Sequence, residues 1–148
     1  MLAFAVEESA VKDFMNRLLR EGLLDDYEIH GAEINTFTRI DISCEADLSD
    51  PRRFCLWRDI RPLVRAVVQT GPRPRSLKIV FSCPPALCAA IDPNASALSL
   101  NLHYENGELR FTTATTQKQF VLDKTLAAKW DAHIAAYFKE LGVPVKVL

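Results

Sequence analysis

Apolar and polar residues alternate more regularly through Leu98 to Thr115 than anywhere else in the chain. Leu98, Leu100, Leu102 and Tyr104 take turns with Ser99, Asn101, His103 and Glu105, and Leu109 and Phe111 resume the pattern after Asn106-Gly107. A period of two marks a strand with one buried face, and Asn-Gly best tolerates the two positive φ angles of a type I′ turn. The stretch is predicted to be a hairpin. Its two-residue loop sets the register: Tyr104 opposite Leu109, Leu102 opposite Phe111 and Leu100 opposite Thr113 on the apolar face, with His103, Arg110, Asn101 and Thr112 on the wet one.

Elsewhere the period changes. Met1 to Val6 reads as a short strand. Val11, Phe14, Met15, Leu18 and Leu19 then recur at helical spacing, with Ser9 as the expected N-cap and Gly22 as terminator. Tyr27 to Ile34 and Thr38 to Ala46 read as strands, the second turning Ile40, Ile42 and Cys44 inward, and Asp47 to Pro51 reads as a turn. A second helix is expected from Asp59 as N-cap, which puts Pro62 in the first turn where no N–H is needed. It runs to about Gln69 with Ile60, Leu63, Val64 and Val67 facing the core, and Gly71-Pro72-Arg73-Pro74 stops it. Leu77 to Ser82 follows as a buried strand, and Pro84 to Asn94 as a helical turn and loop. After the hairpin, Gln119 to Leu122 is expected to add a strand. Asp123 then caps a last helix with the stripe Leu126, Trp130, Ile134, Tyr137, Phe138 and Leu141, ended by Gly142 and Pro144. The tail Val143 to Leu148 either adds an edge strand or hangs free. The sum is one α+β domain over residues 1–148, an antiparallel sheet with helices on one face in the order βαββαββββα.

Three places carry a resemblance. Val11-Lys12-Asp13-Phe14-Met15, Trp57-Arg58-Asp59-Ile60-Arg61-Pro62, and the run from Phe111-Thr112-Thr113-Ala114-Thr115-Thr116 through Phe120-Val121-Leu122-Asp123-Lys124 to Trp130-Asp131 make the chain look like a bacterial domain-of-unknown-function family of similar length. That resemblance implies no activity. The element order alone is similar to one module of a DNA sliding clamp, departing from it in the long final helix.

With 148 residues the chain is long enough to bury about two thirds of its unfolded surface without metal or disulfide. Four cysteines, Cys44, Cys55, Cys83 and Cys88, lack the two close pairs of a zinc ribbon and read as reduced thiols, so no metal and no cofactor are expected. Ile79 to Ile91 is too short and too proline-rich to span a bilayer, and the apolar start lacks a basic region before it, so no membrane association, no signal peptide and a cytoplasmic location are expected.

Charge adds the main functional lead. Residues 1–51 carry twelve acidic side chains against four basic, whereas residues 52–78 carry eight basic against Asp59 alone. Arg58, Arg61 and Arg65 cluster at the start of the second helix, where guanidinium groups, helix dipole and free N–H groups together favour an anion. Arg73 and Arg75 either extend the patch or are simply solvated, and a clamp-like module would set Lys12, Arg17 and Arg20 of the first helix beside it. The competing reading is that the acidic first third, with Asp25, Asp26, Asp47 and Asp50, folds over this block and neutralises it.

The remaining candidates are weaker. Thr112, Thr113, Thr115 and Thr116 fit a strand as well as a ligand groove. His30, His103 and His133 have no metal-ligand spacing; His133 reads as a core histidine and His103 as a surface one. No nucleophile elbow, phosphate loop, dinucleotide fingerprint or zincin motif is present, so no catalytic residue is assigned. Carboxylates such as Glu28, Glu33 and Asp41 keep a small-molecule enzyme among the alternatives. The reading is a non-catalytic binding or scaffolding module whose basic helix meets nucleic acid or an acidic protein surface. A homo-oligomeric interaction protein is the other alternative.

Overall fold

A computed structural model of the chain describes residues 1–45, 49, 54–69 and 73–148. The long hairpin forms as its pattern dictates. Its strands, Ala95–Glu105 and Glu108–Gln117, pair Tyr104 with Leu109, Leu102 with Phe111 and Leu100 with Thr113. Asn106 and Gly107 take φ of 52° and 83°, the type I′ geometry.

In chain order the elements are β1 (Ala3–Val6), α1 (Glu8–Arg20), β2 (Glu28–Asn35), β3 (Arg39–Ser43), β4 (Cys55–Leu56), α2 (Trp57–Gln69), β5 (Ser76–Ser82), α3 (Pro85–Ile91), β6 and β7 of the hairpin, α4 (Thr125–Glu140) and β8 (Val145–Val147). One antiparallel sheet runs β3-β2-β5-β6-β7-β1-β8, with β4 also on β2. The tail therefore adds an edge strand. Leu77, Ile79, Phe81, Leu98, Leu100, Leu102, Leu109 and Phe111 turn to one face and are buried under the helices. Phe4, Phe14, Phe111 and Phe138 meet there, with Phe4 and Phe138 ring centroids 4.9 Å apart. Trp57 and Trp130 are fully buried. Each indole N–H finds a carbonyl, Leu18 at 3.2 Å and Ser99 at 2.9 Å, so burial leaves no donor unmatched.

Several local expectations are corrected. Gln119 to Leu122 is not a strand: Phe120 and Leu122 are 82% and 89% exposed. The Asn94 side chain bonds both the carbonyl and the N–H of Gln119, and the Asn94 carbonyl accepts from Lys118, which turns the chain off the sheet. β1 meets β7 only through Ala3–Ala5 against Thr112–Arg110, so it does not extend far enough to pair with the segment. Ser9 lies inside α1, which starts one residue earlier with no side-chain cap. Asp59 is likewise inside α2. That helix starts at Trp57 because its first N–H groups already have acceptors, Trp57 on the Tyr27 carbonyl at 2.9 Å and Arg58 on that of Asp25 at 3.4 Å. Pro62 thus sits within the helix, on its exposed side, where its missing N–H forgoes one bond to the Arg58 carbonyl. Of the residues expected to face inward, Val64 is buried and Ile60 and Val67 pack partly buried against the core, whereas Leu63 is 53% exposed; Trp57 is buried with them. Asp123 does cap α4, from one residue further out, accepting the Thr125 N–H at 3.2 Å. The helical turn expected after Pro84 forms as α3, and the short β4 goes beyond the expected elements.

Candidate anion-binding face

The geometry of the basic helix is set by a turn just after α1. Gly22 ends that helix with φ +87°, and Leu24 takes φ +63°, a left-handed conformation unfavourable for a branched side chain. Burial of Leu24 at 5% exposure, with the bonds Asp25 N–H to Gly22 and Tyr27 N–H to Leu24, holds it there. The turn aims Asp25 and Asp26 at the start of α2. Asp25 fastens that helix twice, with its carbonyl on the Arg58 N–H and its carboxylate on the Arg61 guanidinium. Arg61 Nη2 donates to Oδ2 at 3.0 Å, while Nε stands equally close to Oδ1 but is not aimed at it, leaving those two atoms without a hydrogen bond. Both side chains are at most a quarter exposed. Asp26 pairs with Arg58, but there the side chains are 81% and 49% exposed. A pair this wet contributes little and exchanges readily.

The five arginines singled out by charge therefore divide. Arg61 is held internally, Arg58 is loosely paired, and Arg65 is exposed with no ion-pair partner among the described residues. Arg75 lies at the other end of the sheet, its N–H on the Asn35 carbonyl, and Arg73 precedes it, exposed. The length of β2 separates that end from α2's start, roughly 23 Å at the usual rise per residue. Of the four acidic residues expected to neutralise the block, Asp25 and Asp26 do pair with it; Asp47 and Asp50, like Arg52 and Arg53, lie outside the described residues.

A neighbour not singled out by the charge cluster completes the face. Gln69, at the end of α2, turns its amide oxygen to Arg20 of α1, accepting from Nε at 3.2 Å and from Nη2. Arg20 stands four and eight residues beyond Asn16 and Lys12, all exposed on one side of α1, and Gln69 stands four beyond Arg65. Cations from two helices thus share an outward surface. Arg17 does not join them, being bound to Asp13 at 3.2 Å and to the Leu141 carbonyl at 2.8 Å. On the sheet's open face most cations stand beside acids: Arg110 holds Glu108 at 2.8 Å, His103 stands 3.3 Å from Glu105, and Arg39 spans Glu33 and Asp41, while Lys78 is exposed without an ion pair among the described residues.

Other groups are occupied structurally. Thr113 is buried, its hydroxyl bonded to Asp131 and accepting the Leu2 N–H. His133 stacks on Trp130, and His30 on Phe54. A cleft of about 540 Å3 opens beside the Gly22–Tyr27 turn, with Arg17, Glu21, Leu87 and Tyr137 in its walls. Burial raises the Tyr27 phenol, which is hydrogen-bonded to Cys83, and pushes the Cys83 thiol up to about 12. Both stay protonated near neutrality. Among the described residues no cluster of histidine, cysteine and carboxylate groups suits a metal ion, and no helix is long and apolar enough to cross a membrane.

Fold and surface together define an α+β protein with a one-sided antiparallel sheet and a two-helix basic face. The chain belongs to a family of unknown function (DUF5721), which matches residues 17–145. No curated protein and no solved structure matches it.

Proposed function

We propose that this protein is a non-catalytic binding module of the cytoplasm that meets a polyanion, nucleic acid foremost, across the outward surface of α1 and α2. The observation that carries the reading is the Arg20–Gln69 contact, which sets Arg20 beside the row bearing Arg65. Lys12, Arg20 and Arg65 have no ion-pair partner among the described residues, and like charges left unpaired on one surface favour an anionic partner. Arg58 adds a fourth cation that can leave Asp26 for a phosphate. Arg61 acts from behind, holding the start of α2 in place. Arg73 and Arg75, at the far end of the sheet, reach a partner only if it is long enough to pass both ends.

Fluorescence anisotropy with labelled duplex DNA, single-stranded DNA and an acidic peptide tests this. The proposal expects binding that weakens steeply with salt and is stronger for a nucleic acid than for the peptide. Absence of binding to any of the three at low ionic strength would sink it.

The exposed run Phe120-Val121-Leu122 supports self-association as a second reading, since apolar side chains side by side on a surface favour burial against a partner. Sedimentation at increasing concentration checks it, with a concentration-dependent shift lost in Phe120→Ser/Leu122→Ser as the supporting result and a concentration-independent monomer as the opposing one.

A further inference from the structure

β4 takes up the line of β3 along the outer edge of β2. Ser43 is opposite Gly31, the Cys44 N–H bonds the His30 carbonyl at 3.1 Å, and Cys55 is opposite Ile29. Cys44 and Cys55 are thus successive positions of one interrupted strand edge, although ten residues of sequence lie between them. His30 is the extra residue of a bulge, skipped in the pairing of β2 with β5. A bulge re-aims side chains locally, and here the two thiols contact each other. A disulfide forms without moving the chain where the Cα separation is under about 7 Å, a span of about two positions along a strand edge.

We propose that Cys44 and Cys55 are a reversible dithiol–disulfide pair, oxidised by thiol–disulfide exchange with a small-molecule disulfide. The two sulfurs have different roles. Cys55 is half-buried, whereas Cys44 is 7% exposed and burial raises its thiol to about 12. The Cys55 thiolate attacks one sulfur of the disulfide RS–SR and expels RS⁻, leaving Cys55 as a mixed disulfide. The sulfur of Cys44, losing its proton to the departing thiolate, then displaces the second RS group. Two protein thiols are oxidised, one disulfide is reduced to two RSH, and the reaction balances. The bond ties β3 to β4 directly before α2 and closes a loop that contains Arg52 and Arg53 of the basic block.

The other two cysteines provide the internal comparison. Cys83 and Cys88 are both buried, with Cys83 hydrogen-bonded to Tyr27, and are closed to an attacking disulfide in the folded protein. The test incubates the reduced, folded protein with oxidised glutathione, blocks free thiols in denaturant and maps the peptides. The expected result is a dithiothreitol-reversible cross-link between the Cys44 and Cys55 peptides, with Cys83 and Cys88 fully alkylated. Cys44→Ser is expected to stop at a glutathione adduct on Cys55, and Cys55→Ser to take up none. Four alkylated cysteines, a Cys83–Cys88 cross-link, or an adduct persisting on Cys55 in the wild type would each overturn the proposal.

Discussion

Asp25 and Asp26 are neighbours in sequence, and each faces an arginine of the same helix, yet they are expected to contribute unequally. Asp25 and Arg61 are largely shielded from water, and Asp25→Ala leaves the guanidinium without its partner, at a cost of about 1–3 kcal/mol. Asp26 and Arg58 are wet, and Asp26→Ala is expected to cost less than about 0.5 kcal/mol. Urea unfolding of the two variants separates them; equal losses would contradict this division. Cys83 makes a prediction at the opposite end of the pH scale. Its thiol is raised from 9.0 to about 12 by burial, so the folded state stays neutral while the unfolded chain ionises. The stability this contributes is complete below pH about 9 and is lost as pH rises from there toward 12. Thermal unfolding between pH about 8 and about 10.5 should show Tm falling in the wild type and falling less steeply in Cys83→Ala. Parallel slopes would rule the contribution out.

At the scale of elements, what the sequence made legible was whatever a local period controls. The hairpin register, the buried stripes of α1 and α4 and the role of Gly22 all follow from spacing within a dozen residues. The start of α2 does not, because its caps are carbonyls of Asp25 and Tyr27, some thirty residues away in sequence. Phe120, Val121 and Leu122 misled for a related reason. They are apolar enough for a strand, but a strand needs a partner, and β7 has no neighbour on that side beyond the reach of β1. Phe120→Ser with Leu122→Ser is therefore expected to leave Tm within about 2 °C of wild type, as surface changes usually do. A fall of about 8 °C or more would show that this segment packs against the fold.

For the whole molecule, the opposed charges of the first third and the middle block were legible, and so was the choice between neutralisation and an external partner. The structure shows neutralisation of Arg58 and Arg61 by Asp26 and Asp25, and leaves Arg65 without an ion-pair partner among the described residues. Cations of α1 beside those of α2 were among the expectations, but nothing in the spacing of Arg20 and Gln69 says that these two residues meet. The near-zero net charge of −1 accordingly hides an uneven surface. Acids pair with Arg39 and Arg110 on the open sheet face and with Arg61, while Lys12, Arg20 and Arg65 stand on the helices without an ion pair among the described residues. The Cys44–Cys55 pair lies next to the same helix, so its oxidation state and the basic face are neighbours in the fold.

The salt dependence of duplex DNA binding tests this division most directly, comparing wild type with Lys12→Ala/Arg20→Ala/Arg65→Ala and with Arg61→Ala. Each phosphate contact contributes about 0.9 to the log–log slope, so the triple variant should flatten it by about 2 to 3. Arg61→Ala should lower stability and leave the slope of the remaining folded protein unchanged. A triple variant whose slope matches the wild type, or an Arg61→Ala slope that flattens as the triple variant's should, would contradict the account.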